Sequence, residues 1–148
     1  MPALEAAKLA LDDLNRNDIT EIKAFKNPPA LVELVCNCIV ILKGYKEVNW
    51  KQAQAMMAAN DFLQQLQRLD VDGITRVQIT SVIGLVKMIE DKLEIESEDQ
   101  KEQEGFAKMK KVSGAGAGLL KFVYAIVGYN KVFATVKPKR DKVRRKFL

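Results

Sequence analysis

"ITEIKAFKNPPALVELVCNCIVILKG" (residues 19–44) decides the fold. Two successive prolines, Pro28 and Pro29, stop any helix from running through. Each lacks an amide donor, and its ring clashes with the preceding turn. Downstream, Ala30 to Leu42 is apolar on nearly every side, and Gly44 is a natural helix stop. A helix that is apolar all round is a buried central helix. Upstream, "ITEIKAF" reads as a short helix with Asp18 as its N-cap and Glu21 at the capping-box position. Lys23 and Lys26 stand beside the break.

The flanks extend the helical reading. "PALEAAKLALDDLN" opens with a proline suited to a first helical turn, and Leu4, Ala7, Leu11 and Leu14 form a heptad stripe. After Gly44, Asn49 is a candidate N-cap for "WKQAQAMMAANDFLQQLQ". Trp50, Ala53, Met57 and Leu66 point inward there, and Asn60-Asp61 is a candidate break. "DVDG" (70–73) is a turn, and "ITRVQITSVIGLVKMIEDKLEI" (74–95) is helical despite its β-branched first half. From Phe106 onward no proline appears before Pro138. Phe122, Tyr129, Val136 and Val143 recur seven apart, a second heptad stripe. No alternating apolar run bounded by turn residues argues for a strand. The expected fold is all-α: a small helical bundle head which, if the two ends pair, sits on an antiparallel two-stranded coiled-coil stalk stub.

At 148 residues the chain has room for one domain with a real core. Its net charge of +5 conceals a division. Residues 90–104, "EDKLEIESEDQKEQE", hold eight acids against two lysines, which leaves the remainder at +11. The acidic run is expected to be a solvated, mobile linker or a frayed helix end. A basic body implies an acidic partner: nucleic acid, anionic lipid or an acidic protein surface. Its basic residues cluster at Arg16, Lys23 and Lys26, at Lys108, Lys110 and Lys111 at the expected start of the last long helix, and in "KPKRDKVRRK" (137–146).

Enzyme and cofactor chemistry finds little support. There is no histidine, which removes the commonest general base and metal ligand. Cys36 and Cys38 point about 200° apart on a helix, so they neither pair locally nor share a metal, and they read as buried free thiols. "SGAGAGLL" (113–120) has Leu119 where a dinucleotide fingerprint needs its third glycine, and it lacks the Gly-Lys-Ser/Thr of a Walker loop. Small residues that allow close helix packing explain it better. "DVDGIT" places Ile74 where a calcium loop needs an oxygen. No cofactor and no metal is expected. The longest apolar run, Leu34 to Leu42, is interrupted by Asn37 and is too short to cross a bilayer.

The order of these pieces resembles the microtubule-binding domain and stalk tip of dynein heavy chains. "EIKAFKNPP", the Trp50 helix start and "VSGAGAGLLKFVYAIVGYNKVFATVKPKR" carry the likeness. "CNCIVILKGYKEVNWKQAQAMM" looks more like axonemal inner-arm chains than cytoplasmic ones. The resemblance implies a first stalk stub at 1–17, a microtubule-binding head at 18–121 with 90–104 as an acidic connection, and a return stalk helix at 122–148. It places Arg16, Glu21, Lys23, Lys26, Lys51, Gln54, Lys110 and Lys111 at the tubulin surface, and Pro2 and Pro138 as the stalk prolines flanking the head. It also implies a cytoplasmic protein of the cilium or flagellum axoneme, joined through the stalk to the rest of a dynein heavy chain. The ATPase would lie elsewhere in that heavy chain, and no nucleic acid or membrane would be bound. Three departures stand out: Phe122 replaces a usual tryptophan, Ala59 stands where the cytoplasmic form has a basic contact residue, and the acidic run 90–104 departs from the usual connection before the last helix, either repelling the acidic tubulin surface or merely solvated. From charge alone, a basic helical adaptor for nucleic acid or anionic membrane stays open beside this reading, as does a purely structural coiled-coil tip.

Overall fold

The computed structural model describes residues 5, 8, 9, 11, 12, 14 and 16–147, with Arg16 and the stretch from 131 onward described by backbone alone. The helices are α1 (Arg16–Lys23), α2 (Ala30–Leu42), α3 (Trp50–Met57), α4 (Phe62–Gln67), α5 (Arg76–Leu93), α6 (Lys101–Val112) and α7 (Gly114–Phe147), with a 3-10 turn at Val71–Gly73 between α4 and α5. No strand occurs among the described residues, so the all-helical expectation holds.

The helix after the double proline is the centre of the molecule. Val32, Val35, Cys38, Ile39 and Val40 of α2 are fully buried, and α2 packs against α3, α5, α6 and α7. It ends as its sequence requires. Gly44 takes φ +86°, the Gly44 amide donates to the Ile41 carbonyl at 2.9 Å, and the Tyr45 amide reaches Val40 at 3.3 Å. This is a Schellman stop, which needs a left-handed residue at that point. The Gln78 side-chain amide adds a third tie, donating to the Ile41 carbonyl at 2.8 Å.

Local signals explain the other helix starts. The Asn49 side chain accepts from the Gln52 amide at 2.8 Å and opens α3. Asn60 and Asp61 fall between α3 and α4, the expected break. Thr75 and Gln78 form a complete capping box, and this start carries α5 through its β-branched first half.

Three expectations need correction. First, α1 begins at Arg16, so Asp18 sits in its first turn rather than at the N-cap. There it still favours the helix, because an acid suits the positive end of the helix dipole.

Second, the segment from Phe106 is not one helix. Ser113 is extended (φ −161°, ψ 121°) and separates α6 from α7. The two fold back as a hairpin. Met109 faces Gly116, Phe106 faces Lys121, and Ile95 and Tyr124 close on Gly105. The Ser113 hydroxyl accepts from the Gly116 amide at 3.0 Å and starts α7. Gly116 lets Met109 lie close in this return, since a Cβ there would meet the Met109 methyl at 2.8 Å and turn it aside.

Third, the acidic run is mostly structured. Residues 90–93 belong to α5 and 101–104 to α6, leaving a connection at 94–100. Glu104 gathers that connection. Its carboxylate accepts from the Glu96 amide at 3.1 Å and the Ser97 amide at 3.3 Å, and pairs with Lys108 at 3.1 Å.

The described residues before α1 reach α7 through Leu14. Leu11 and Leu14 are buried, and Leu14 lies against Gly118. Pro2, Leu4 and Ala7 lie outside the described residues, and Pro138 falls within α7, whose backbone continues through it as helix. Side-chain pairing along the stalk stub therefore falls outside what is described, apart from Leu11 and Leu14.

Candidate functional site

The C-terminal end of α1 is built onto the start of α3. A helix leaves its last carbonyls without partners, and side chains or water must satisfy them. Here α3 supplies the donors. The Trp50 indole N–H donates to the Phe25 carbonyl at 2.9 Å. The Gln54 side-chain amide donates to the Lys23 carbonyl at 2.7 Å and to Phe25 at 3.1 Å. These bonds place Lys23 and Lys26 beside the first turn of α3, which carries Lys51. Lys26 and Lys51 are exposed and Lys23 is half-buried. Glu21 is exposed on the same helix, and Arg16 starts it. Gln54 belongs to this edge, but both donors of its amide nitrogen serve the backbone of α1 and the turn after it.

Two grooves flank α1. One, of about 320 Å³, lies between α1 and the α3–α4 junction and is lined by Ile19, Lys23, Ala58, Ala59 and Leu63 among others. Ala59 therefore stands beside Lys23 and adds no charge. The second, of about 390 Å³, opens between the start of α1, the end of α6 and the start of α7. Asp18, Lys110 and Lys121 reach it.

Lys110 and Lys111 are both exposed in the last turn of α6, not at the start of the long helix. The hairpin brings Lys110 to the groove at the start of α1, while Lys23 and Lys26 lie at the other end of that helix. Lys108, in the same sequence cluster, has a different task. Its ammonium donates to the Leu93 carbonyl at 2.9 Å and the Glu94 carbonyl at 2.8 Å, closing the end of α5. Sequence reasoning passed over Lys121, which shares the groove with Lys110 and sits 5.4 Å from the Phe106 ring centroid. The only available signal was its place one turn past "GAGAG", and that says nothing until the hairpin is known.

Glu104 is held below the usual carboxylate range, first by the Glu96 amide and then by Lys108. Cys36 and Cys38 are buried, and desolvation pushes both thiols up to about 12. Among the described residues no three His, Cys, Asp or Glu side chains gather as a metal site, and no helix is long and apolar enough to cross a membrane.

Among the described residues the chain is an all-helical bundle with Leu14 seated on the start of α7 and a lysine-bearing edge on its surface, the architecture of a helical binding module. Residues 1–146 match the family described as the microtubule-binding stalk of dynein motor, and the chain belongs to that family. It is 46% identical over 145 residues to human dynein axonemal heavy chain 10, covering 98% of this chain and 3% of that protein. It is 43% identical over 131 residues to the dynein-1-alpha heavy chain of the flagellar inner arm I1 complex of Chlamydomonas reinhardtii, covering 88% of this chain and 3% of that one. The solved microtubule-binding domain of dynein-C shares the fold, with a TM-score of 0.69 at 35% identity, covering 97% of this chain and 92% of that one. The chain thus spans about 3% of the length of the curated relatives it matches.

Proposed function

We propose that this chain is the stalk-tip domain of an axonemal dynein heavy chain and binds the microtubule lattice through α1 and its neighbours. The observation that carries this reading is the anchoring of the α1 end to α3 through Trp50 and Gln54, within a chain whose family match runs over residues 1–146. A rigid support beneath flexible, exposed lysines suits attraction to an acidic protein surface. Lys26, Lys51, Lys110 and Lys111 supply charge, with Arg16, Glu21 and half-buried Lys23 on α1. Gln54 serves as the brace of this surface.

In this reading residues 1–17 enter from the stalk, 18–121 form the head and 122–148 return to the stalk. The fragment binds and does not hydrolyse; the motor's ATPase belongs to the rest of the heavy chain. A shift of register between the two stalk helices would move α1 and so change affinity, a coupling between distant sites. The axonemal and flagellar names of the relatives at 46% and 43% identity favour the cilium or flagellum as its place of work.

Co-sedimentation with microtubules across a salt series tests the proposal, repeated after removal of the acidic tubulin tails. Pelleting at low salt that weakens as salt rises is expected. Absence of pelleting at low salt sinks it, and tight pelleting with duplex DNA or anionic vesicles instead favours a general basic adaptor.

A further inference from the structure

We infer that Ser113, at the break between α6 and α7, is a phosphate acceptor for a kinase that selects basic sequences, and that its phosphate weakens the pull of the adjacent lysines on an acidic surface. Lys108, Lys110 and Lys111 stand five, three and two residues before it. A kinase of that class reads basic side chains upstream of the acceptor with carboxylates of its own. No other serine or threonine of the chain has basic residues both two and three places upstream; Ser97, for example, has Ile95 and Glu94 there. The backbone and the surface favour the same residue. Ser113 is extended, at φ −161° and ψ 121°, as a peptide lies in a kinase cleft. Lys110, Lys111, Val112 and Gly114 around it are exposed, and Ser113 itself is half-buried. Met109 is fully buried and anchors α6, so only residues 110–112 must unwind to lengthen the extended stretch. An exposed helix end opens at low cost. A Cβ at Gly114 would meet nothing within 4 Å, so the approach beside the serine is clear.

The transfer draws on ATP. The Ser113 oxygen attacks the γ-phosphorus, the bond from that phosphorus to the β–γ bridging oxygen breaks, ADP leaves, and the kinase's base takes the hydroxyl proton. In the folded chain that hydroxyl accepts from the Gly116 amide at 3.0 Å, which occupies a lone pair and leaves the proton available. The phosphate formed carries about −1.5 to −2 charges at neutral pH. It stands at the first turn of α7, where the amides and the positive end of the helix dipole favour an anion, so the fold accommodates it. Its charge offsets those of Lys110 and Lys111 immediately before it. Lys110 and Lys121 line the groove that opens beside Gly114 and feel it too. The effect on affinity rests on the microtubule-binding role proposed above; the assignment of Ser113 as acceptor does not.

Incubation of the full folded chain with ATP and the catalytic subunit of the cyclic-AMP-dependent protein kinase tests the assignment. One phosphate is expected, placed at Ser113 by mass spectrometry of fragments, and Ser113→Ala is expected to take up none while keeping its helicity by circular dichroism. Replacing both lysines, Lys110→Gln with Lys111→Gln, is expected to slow uptake by about tenfold or more, the loss of two charge-assisted contacts. No uptake at Ser113 in the folded chain, or uptake that survives in Ser113→Ala, overturns the acceptor. The phosphorylated chain is then expected to keep its helicity and to pellet with microtubules roughly fivefold to tenfold more weakly at low salt. Equal pelleting of the two forms overturns the control of affinity. If Ser113 takes the phosphate and neither form pellets, the acceptor stands and the binding role falls.

Discussion

Gln54 holds the end of α1 from a helix 31 positions later, its amide donating to the Lys23 carbonyl at 2.7 Å. The same nitrogen reaches the Phe25 carbonyl at 3.1 Å. Gln54→Ala takes the side-chain donor from the Lys23 carbonyl and leaves the Phe25 carbonyl with Trp50 alone, at the edge where the lysines stand. The expected loss is about 1–2 kcal/mol of stability in urea or thermal unfolding, together with weaker microtubule pelleting. Lys26→Glu should behave differently. It is expected to keep full helicity and to weaken binding by about 1 kcal/mol, roughly fivefold, with the difference shrinking as salt rises.

Glu104 organises the acidic connection, so its protonation should release that segment. Its folded-state pKa is depressed, so its contribution is complete above the unfolded carboxyl value of about 4.3 and is lost as pH falls through the lower folded value. Amide exchange at Glu96 and Ser97, followed by NMR, should therefore lose protection in that acid range. In Glu104→Gln the same amides should exchange fast at every pH, since the neutral side chain cannot hold both amides and Lys108 as a carboxylate does. Unchanged protection in that variant would remove Glu104 from this role.

Two tyrosines fasten α7 to the head. The Tyr124 hydroxyl donates to Glu90 at 2.9 Å and the Tyr129 hydroxyl to Asp72 at 2.8 Å. Desolvation, followed by the bond to Glu90, raises the Tyr124 phenol well above its ordinary value. A phenol whose folded pKa is raised contributes fully below its unfolded value of about 10 and loses that contribution as pH climbs beyond it. Tyr124→Phe should cost about 1 kcal/mol at neutral pH, measured by denaturant unfolding. It should also show a smaller loss of stability above pH 10 than the parent chain.

Glu94 ends α5 in the left-handed region, at φ 54° and ψ 52°. Its amide donates to Asp91 and the next amide, of Ile95, to Glu90, the same stop that Gly44 provides for α2. A side chain in that conformation costs about 1 kcal/mol. Glu94→Gly should therefore raise thermal stability by roughly 0.5–1 kcal/mol, while Gly44→Ala should lower it by a similar amount. A lower melting temperature for Glu94→Gly would mean that its side chain holds the turn in some further way.

The sequence by itself determined most of the helices and their order, though not the Ser113 break that separates α6 from α7. The double proline, the uniformly apolar Ala30–Leu42, the Gly44 stop and the Asn49 cap are local signals, and each acts within one or two turns of backbone. The basic character of the surface and the family likeness were legible for the same reason, since they depend on which residues occur and in what order. Only the tertiary structure decided what each polar side chain does. Lys108 and Lys110 are neighbours in one lysine cluster, yet Lys108 closes the end of α5 and Lys110 faces a groove. Gln54 read as a surface contact, and its amide is a brace for α1. The acidic run read as a solvated, mobile linker or a frayed helix end; it holds the end of α5 and the start of α6, and Glu104 draws the connection between them into a turn. "SGAGAG" promised close packing without naming the partners, which proved to be Met109 of the same hairpin and Leu14 of the chain's first segment. Such pairings join residues far apart in sequence through bonds only a few ångströms long, and no local pattern encodes which carbonyl a given amide or ammonium will reach.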